Sequence, residues 1–219
     1  WQDWRQDSMD YYTAWVHQIK TPISVMRMLL QAEDTDEHRA LLDELFRMEV
    51  YVEMALCYAR LDYGGSDFVF RRCSLDEILR GVIHKYAPQF VRKRITLTFV
   101  PTGRVILTDE KWLAFVVGQL FSNALKYMEK GSVTVTADER DILCIADTGI
   151  GIAPEDLPRV FEKGFTGYNG RLEQKSTGLG LYLCRRTMDK LGGRIWAEST
   201  VGEGTRMYLD LHRETLKPE

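Results

Sequence analysis

Apolar residues recur with alternating steps of four and three in two stretches of the N-terminal third of the chain. This step is a heptad seam, which is typical of helices that pack along their length. The seam positions are Tyr12, Val16, Ile19, Ile23, Met26 and Leu30 in the first stretch, and Leu41, Leu45, Met48, Val52, Ala55 and Ala59 in the second. The charged residues 33–37 separate the stretches, with Thr35 or Asp36 as an N-cap. The pattern therefore predicts an antiparallel helical hairpin.

A hairpin of two helices cannot bury both seams by itself. The simplest completion is a dimeric four-helix bundle, in which the small Ala55 and Ala59 permit close helix approach. The alternative is a hairpin that packs onto the C-terminal part of its own chain. We expect the dimeric bundle.

The pattern changes after Gly64-Gly65-Ser66, which we interpret as a linker. We predict a hairpin domain over 1–63, a linker over 64–67 and a second domain over 68–219. In the second domain, predicted strands lie near 68–72, 95–100, 104–108, 132–137, 141–146, 194–199 and 205–211, and predicted helices near 75–87, 109–128 and 179–191. This alternation indicates an α/β sandwich with helices on one face of a mixed sheet, and an α+β chain as a whole. Residues 152–177 are too long for a tight connection and predict a lid over a ligand.

Composition and charge narrow the function classes. The chain has 219 residues, of which 45% are hydrophobic and 28% charged, with a net charge of −3. Without a basic stripe, nothing favours a nucleic-acid partner. The four cysteines lie scattered without metal-ligand spacing and predict reduced thiols in a cytosolic setting. No stretch reaches the ~18 apolar residues of a membrane span, but a chain that begins at Trp1 is expected to be a fragment.

Two glycine-rich motifs predict the walls of a nucleotide pocket. In Asp147–Gly151 (DTGIG), the carboxylate at a strand end can accept a hydrogen bond from an exocyclic amine such as that of adenine, and Gly149 and Gly151 let the backbone approach a flat ring. In Ser176–Gly180 (STGLG), residues Gly178, Leu179 and Gly180 open a helix. Free N–H groups and the positive helix end favour phosphate there.

A polar face interrupts the apolar helix that precedes these motifs. Gln119 and Asn123 lie one turn apart, and Lys126 and Tyr127 lie on the next turn. Asn123 can bind a hydrated Mg²⁺ that bridges phosphates, Lys126 can neutralise phosphate charge, and Tyr127 can pack beside a base. The alternative is a solvated helix surface, which becomes the weaker interpretation once the two glycine motifs are considered with it.

His17 is a candidate nucleophile on the first helix. It follows the seam residue Val16, so it is predicted to face solvent, with Lys20 at i+3 and Thr21 at i+4. Pro22 is predicted to kink the helix at that turn. An imidazole is largely neutral at cytosolic pH and can present a lone pair.

Taken in order, five motifs resemble the H, N, G1, F and G2 boxes of bacterial sensor histidine kinases. They are His17–Pro22 (HQIKTP), Asn123, Asp147–Gly151, Phe161–Phe165 (FEKGF) and Ser176–Gly180. The resemblance covers nearly the whole chain, and it implies a dimerisation and phosphotransfer hairpin followed by a Bergerat-type ATP-binding domain.

The same resemblance implies roles for individual residues. His17 would be the phosphoacceptor, Asn123 the Mg²⁺ ligand and Asp147 the carboxylate that reads adenine. Thr205 looks like the family's late threonine near adenine, and Arg171 and Lys175 in the lid are candidates for contact with the γ-phosphate. ATP and Mg²⁺ would be the cofactors, and an aspartate of a response regulator would receive the phosphoryl group. Thr21 could also orient a water for dephosphorylating the regulator.

Two positions depart from the family pattern. Gln18 occupies the place of an acidic residue after the histidine, and an amide can orient the ring but cannot act as a base at neutral pH. Water or another group must then accept the proton. Gln119 replaces the asparagine frequently found one turn before Asn123, which leaves its contact with metal open.

Residues Trp15–Ile23 (WVHQIKTPI) are similar to the H box of small Gram-positive kinases that detect antimicrobial peptides, often beside an ABC transporter. That resemblance implies N-terminal membrane helices, which would place this chain at the cytosolic face of the membrane.

Two other functions stay open from the sequence. The first is a nucleotide-bound scaffold that holds a partner without transfer, which Gln18 favours. The second is an ATPase of the same superfamily, which leaves the His17 motif unexplained. Whether a kinase would act within one subunit or across the dimer also stays open, because it depends on the handedness of the turn near 33–37.

Overall fold

The computed structural model describes residues 2–63, 68–167 and 177–212. Side chains are described from Ala14 onward within these ranges, except those of His17 and Tyr63. The chain divides into two compact units, Trp1–Asp67 and Phe68–Glu219. Each unit has its own internal packing.

The first unit is a hairpin of two long helices, α1 (Gln2–Leu30) and α2 (Asp36–Tyr63). The Thr35 hydroxyl accepts a hydrogen bond from the His38 N–H at 3.1 Å, so Thr35 is the N-cap of α2. Asp36 and Glu37 lie in the first turn, where negative charge is favourable. Arg27 of α1 forms an ion pair with Glu49 of α2. The predicted helical hairpin is therefore confirmed.

The buried stripe of the hairpin differs from the predicted seam. Val16, Ile23, Leu45 and Ala59 are buried as expected, but Met26, Leu41 and Met48 are 41%, 53% and 49% exposed, and Ala55 is exposed as well. The residues of α2 that turn inward instead are Phe46, Val50, Met54, Cys57 and Leu61. They lie one or two positions from the predicted seam, because a pair of helices buries one stripe of each helix and leaves the adjacent stripe outside. Dimerisation through that outer stripe stays a prediction.

The second unit contains seven strands and three long helices in its described residues. The strands are β1 (Arg71–Ser74), β2 (Ile95–Phe99), β3 (Val105–Thr108), β4 (Gly131–Ala137), β5 (Ile142–Asp147), β6 (Arg194–Thr200) and β7 (Gly204–Asp210). The helices are α3 (Leu75–Arg92), α4 (Glu110–Lys126) and α5 (Gly180–Leu191).

Five of the strands form a mixed sheet in the order β2-β4-β5-β7-β6. The β2–β4 pair is parallel and the other pairs are antiparallel. Alternate residues of the central strands are buried towards the helices, among them Val133, Val135, Leu143, Ile145 and Leu209. The predicted α/β sandwich and α+β class are therefore confirmed. β1 and β3 pair with each other in a separate two-stranded sheet.

Two capped helices complete the layer that covers the sheet. Ser74 caps α3 by accepting from the Glu77 N–H at 3.3 Å. The buried Asp109 caps α4 by accepting from the Lys111 and Trp112 N–H groups at 2.9 and 3.2 Å. Each such cap stabilises a helix by about 1 kcal/mol. The caps therefore fix where α4, which carries the candidate Asn123, begins.

Helix α3 is longer than predicted, because it continues through Pro88 to Arg92 instead of ending at 87. Phe90 explains the extension: it is 2% exposed, and its ring packs edge-on against Phe121 with centroids 5.6 Å apart. Burying a phenyl ring contributes about 1.5–3 kcal/mol, which offsets much of the cost of proline inside a helix. Tertiary packing therefore outweighs the local signal of the proline.

Candidate nucleotide-binding site

Asp147 occupies the end of β5, as the apolar composition of that strand predicts. Its half-buried carboxylate accepts a hydrogen bond from the Gly149 N–H at 2.9 Å. Burial raises the pKa of this carboxyl, while the backbone N–H groups of Gly149 and Thr205 act in the opposite direction. The remaining lone pairs of the carboxylate can accept a hydrogen bond from a ligand amine.

The loop after Asp147 lies directly against the end of α4. A Cβ on Gly149 would be 2.9 Å from both the Asp147 Oδ1 and the Tyr127 carbonyl oxygen, so a larger residue would displace one of them. Gly151 has φ +74°, in the left-handed region that glycine adopts without strain. The Ile150 N–H donates to the Tyr127 carbonyl at 3.3 Å. The glycines therefore permit a backbone contact that links β5 to α4.

The polar residues of α4 lie on its last two turns. Gln119 is 4% exposed, and Asn123 is half-buried one turn later. Tyr127 is the C-cap, with its N–H donating to the Asn123 carbonyl at 3.0 Å. The Lys126 ammonium lies 5.0 Å from the centroid of the Tyr127 ring. The helix thus presents an amide, a cation and an aromatic ring beside the Asp147 loop.

The start of α5 meets α4 at Gln119. A Cβ on Gly180 would lie 3.2 Å from the Gln119 Oε1, so these two helices are in close contact at that point. Leu179, at the N-cap position, provides no side-chain hydrogen bond to the first turn, and its own N–H donates to the Thr177 hydroxyl at 3.3 Å. The N–H groups of that first turn have no partner within the helix and suit an anion. The Gly178 carbonyl accepts from the Gly164 N–H at 3.0 Å, which ties the second glycine motif to Phe161–Phe165.

Thr205 is buried on β7 directly opposite Asp147 in the strand register. Its hydroxyl oxygen is 2.9 Å from that of Ser199. Ser199 also accepts from the Ile152 N–H at 2.8 Å, just after the first glycine motif. Sequence reasoning identified Thr205 and missed Ser199. The available signal was the tight turn over 201–203, which places Ser199 across from Thr205.

Several candidate residues lie outside the described part of the chain. Arg171 and Lys175 fall in 168–176, together with most of the second half of the predicted lid, 152–177. The first half contains a short 3₁₀ helix, Leu157–Arg159. The Arg159 guanidinium lies 4.6 Å from the centroid of the Phe165 ring.

The His17 motif lies within α1, in the first unit. The predicted solvent-facing side chain of His17 is outside the described side chains. Gln18, Lys20 and Thr21 are exposed on the same helix, and α1 runs through Pro22 without interruption. The motif therefore offers polar side chains at a helix surface.

Comparisons with known proteins show what this chain is similar to. Residues 108–215 match the family described as Histidine kinase-, DNA gyrase B-, and HSP90-like ATPase. The chain is 39% identical over 201 residues to the Sensor histidine kinase YxdK of Bacillus subtilis, covering 89% of this chain and 62% of the relative. Over most of its length, the chain is similar to a sensor histidine kinase.

Two further sensor proteins are similar to this chain over most of its length. Sensor protein BceS of Halalkalibacterium halodurans is 33% identical over 213 residues, covering 95% of this chain and 64% of BceS. Sensor protein kinase GraS of Staphylococcus aureus is 36% identical over 203 residues, covering 90% of this chain and 58% of GraS. The chain thus spans 58–64% of the length of these sensor kinases.

Solved structures share the fold. The crystal structure of full-length ShkA in complex with AMPPNP aligns with a TM-score of 0.62 at 24% identity, covering 92% of this chain and 45% of ShkA. The Acinetobacter baumannii histidine kinase AdeS aligns with a TM-score of 0.58 at 18% identity, covering 90% of this chain and 98% of AdeS. The chain thus shares its fold with these two structures.

The residues of the second unit fit ATP and Mg²⁺. A half-buried carboxylate, a close backbone approach at Gly149 and an uncapped helix start at Leu179 suit a purine and its phosphates. Among the described residues, no group of three His, Cys, Asp or Glu side chains forms a metal site. Mg²⁺ often takes only one or two protein ligands and otherwise binds phosphate oxygens and water, which an amide such as that of Asn123 allows.

In the part of the chain that the structure describes, no helix combines the length and hydropathy of a membrane span.

Proposed function

We propose that this chain carries the autophosphorylating part of a two-component sensor histidine kinase. Residues 1–63 would form the dimerisation and phosphotransfer hairpin, 64–67 the linker, and 68–219 the catalytic ATP-binding domain. One observation carries the proposal: in the second unit, the Asp147 loop, the end of α4 and the start of α5 meet through the contacts of Tyr127 and Gln119.

The adenine end of ATP would lie at the end of β5. There the Asp147 carboxylate accepts a hydrogen bond from the exocyclic amine, and Thr205 lies opposite it across the strand pair. Gly149 and Gly151 let the backbone approach the ring, and Tyr127 packs beside it. The recognition thus depends on a shape fixed by hydrogen bonds within the protein.

The phosphate end would lie at the start of α5. The N–H groups of Gly178 and Gly180 and the positive end of the helix favour phosphate oxygens, and Lys126 adds a positive charge. Leu179 lies between the two glycines, and its N–H donates to the Thr177 hydroxyl at 3.3 Å. Arg171 and Lys175, in the predicted lid, would contact the γ-phosphate. Asn123, together with Gln119, would hold Mg²⁺, which neutralises phosphate charge.

The reaction requires few catalytic side chains, because phosphoryl transfer depends mainly on positioning and charge neutralisation. An imidazole nitrogen of His17 attacks the γ-phosphorus. A nitrogen–phosphorus bond forms, the bond from phosphorus to the β-γ bridging oxygen breaks, and ADP leaves. The imidazole proton passes to water or another base, because the Gln18 amide can orient the ring but cannot accept a proton at neutral pH. Lys20 supplies a nearby positive charge.

The phosphoryl group would then pass to an aspartate of a cognate response regulator docked on the hairpin. Thr21, exposed one turn after His17, would orient a water when the regulator is dephosphorylated. A homodimer is supported by the exposed apolar stripe that includes Leu41 and Met48.

We propose a cellular setting from the similarity to longer sensor proteins. Since they extend well beyond the matched region, we propose that the intact protein is anchored in the bacterial membrane with this part on the cytosolic face. Sensing of antimicrobial peptides together with an ABC transporter is proposed from the similarity around His17. No nucleic-acid partner is proposed.

Incubation with γ-labelled ATP and Mg²⁺ tests the proposal. We expect acid-labile, base-stable label on the unchanged chain and on His84→Ala, a control at an exposed histidine of α3, and no label on His17→Ala. Nucleotide binding without label on the unchanged chain would instead indicate a scaffold. Sustained phosphate release without label would indicate an ATPase.

A further inference from the structure

Lys93 contacts the end of α4 from the turn that follows α3. It is the C-cap residue of α3. Its ammonium donates to the carbonyl oxygen of Leu125, and it lies 3.4 Å from the carbonyl oxygen of Met128. Since the chain folds so that residues 93 and 125–128 meet, this is a tertiary contact and not part of either helix.

The contact satisfies groups that the helix itself cannot. The last carbonyls of an α-helix have no partner within it, and they form the negative end of the helix dipole. A lysine ammonium answers both requirements, because it donates hydrogen bonds and carries positive charge. The turn that presents it is held in an uncommon conformation: Arg94 has φ 54°, and its N–H donates to the Val91 carbonyl at 3.0 Å.

The two carbonyls flank the residue that joins α4 to the first glycine motif. Tyr127 lies between Leu125 and Met128, and its own carbonyl accepts from the Ile150 N–H. On the other side, the Thr148 hydroxyl accepts from the Ser132 N–H at 2.9 Å. Lys93 therefore stabilises the position of the helix end against which the Asp147 loop lies.

We propose that Lys93 is a positioning residue for the adenine end of the ATP site. It acts through the backbone of 125–128 and not by touching the nucleotide. This inference rests on the proposed function, because it assumes that Asp147 and its loop bind adenine. None of the sequence motifs includes Lys93.

Lys93→Met tests the inference, since methionine keeps the length of the side chain and removes the charge and the donors. We expect the dissociation constants of ATP and ADP, measured by titration calorimetry, to rise by about fivefold to tenfold. The rise should be equal for both nucleotides, because a displaced adenine wall affects both alike. In autophosphorylation, the KM for ATP should rise while kcat is unchanged.

Two further variants make the test specific. Lys130→Met removes the same charge at an exposed position two residues after Met128, and we expect it to leave both dissociation constants unchanged. Lys93→Arg keeps a cation and its donors, and we expect it to restore most of the affinity. Far-UV circular dichroism at the assay temperature checks folding. If Lys93→Met is unfolded there, Lys93→Ala, which also removes the charge and the donors, replaces it with the same expected result.

Three results would overturn the inference. Unchanged affinity in the folded Lys93 variant would show that the contact does not position the site. A loss clearly larger for ATP than for ADP, shared by Lys130→Met, would show a charge effect on the phosphates. If the unchanged chain binds neither nucleotide, both the proposed ATP site and this inference are wrong. If the unchanged chain binds ATP and the Lys93 variant binds it equally well, only the inference is wrong.

Discussion

The two units of this chain differ in the share of their large apolar side chains that they bury. In the hairpin, Val25, Met28 and Leu29 are 47%, 67% and 62% exposed near the end of α1. In the second unit, Leu113, Phe121 and Leu143 are fully buried between the helices and the sheet. A clustered apolar surface indicates an interaction with another molecule, whereas a closed core indicates a unit that folds around itself.

The chemistry of the two units differs in the same sense. The hairpin presents its candidate residues, Gln18, Lys20 and Thr21, at an exposed helix surface. In the second unit, candidate groups are held by backbone hydrogen bonds, such as those of Gly149 with Asp147 and of Ile150 with Tyr127. In the proposed reaction, an exposed surface would let His17 meet both ATP and a regulator, while a fixed pocket suits nucleotide recognition. The comparison predicts that changes in one unit leave the property of the other intact.

The largest expected effect is that of Asp147→Ala on the second unit. Removing the acceptor and its hydrogen bond to the Gly149 N–H should weaken ATP binding by about a hundredfold or more in titration calorimetry. Asp189→Ala, at an exposed position of α5, is the matched control and should bind ATP normally. Self-association should be the same in both variants. A dimer lost in Asp147→Ala would break the division between the units.

A smaller effect is expected from Leu29→Lys on the hairpin. If the exposed end of α1 is part of a dimer interface, placing a charge there should raise the dimer dissociation constant by about tenfold, measured by sedimentation equilibrium. Gln31→Lys adds the same charge to an exposed polar position nearby and should change little. ATP affinity should be unaffected. Unaltered dimerisation in Leu29→Lys would place the interface elsewhere.

The smallest expected effect concerns stability and pH. Because burial raises the pKa of Asp147, the folded protein holds that proton more tightly than the unfolded chain, and the carboxyl costs stability as pH rises through the raised pKa. Thermal unfolding of the nucleotide-free Asp147→Asn variant should therefore show a Tm above that of the unchanged chain at pH 7. The difference should shrink as pH falls towards 3.8, the ordinary value for aspartate.

Asp76 serves as a control because its pKa is shifted in the opposite direction to that of Asp147. Burial acts to raise its pKa, but hydrogen bonds from the Thr102 hydroxyl and the Thr102 and Gly103 N–H groups outweigh burial and lower it. Its carboxylate therefore contributes stability above the ordinary pKa that is lost as pH falls through the lowered one. Asp76→Asn should lower the Tm at pH 7. The same sign for both variants would contradict these assignments.

The sequence alone predicts the sandwich well because its signals are local. Alternation marks β4, an apolar run marks β5, and glycine motifs mark the end of β5 and the start of α5, so each element follows from residues in or beside it. Helix α3 differs, since its extension past Pro88 depends on the contact of Phe90 with Phe121. Contacts between distant segments decide such boundaries.

The hairpin and the supporting residues of the site show the limits of pattern reasoning. A heptad pattern gives the period of the apolar residues but does not say which of two adjacent stripes faces the partner helix. The pattern therefore predicts that Met48 is buried, whereas the structure buries Val50 and exposes Met48. Ser199 and Lys93 carry no motif. Ser199 accepts from the Ile152 N–H and Lys93 donates to the Leu125 carbonyl, and both partners are distant in sequence. Motifs identify groups that touch a ligand more readily than groups that position them.

The central claim is that the two units divide the reaction between a nucleotide pocket and His17. The most direct measurement is mass-spectrometric mapping of the phosphorylated residue, with peptides kept at alkaline pH after incubation with ATP and Mg²⁺. The account predicts one phosphate on the peptide that contains His17, absent from both His17→Ala and Asp147→Ala. Phosphate on another residue, or phosphate that persists in Asp147→Ala, would contradict it.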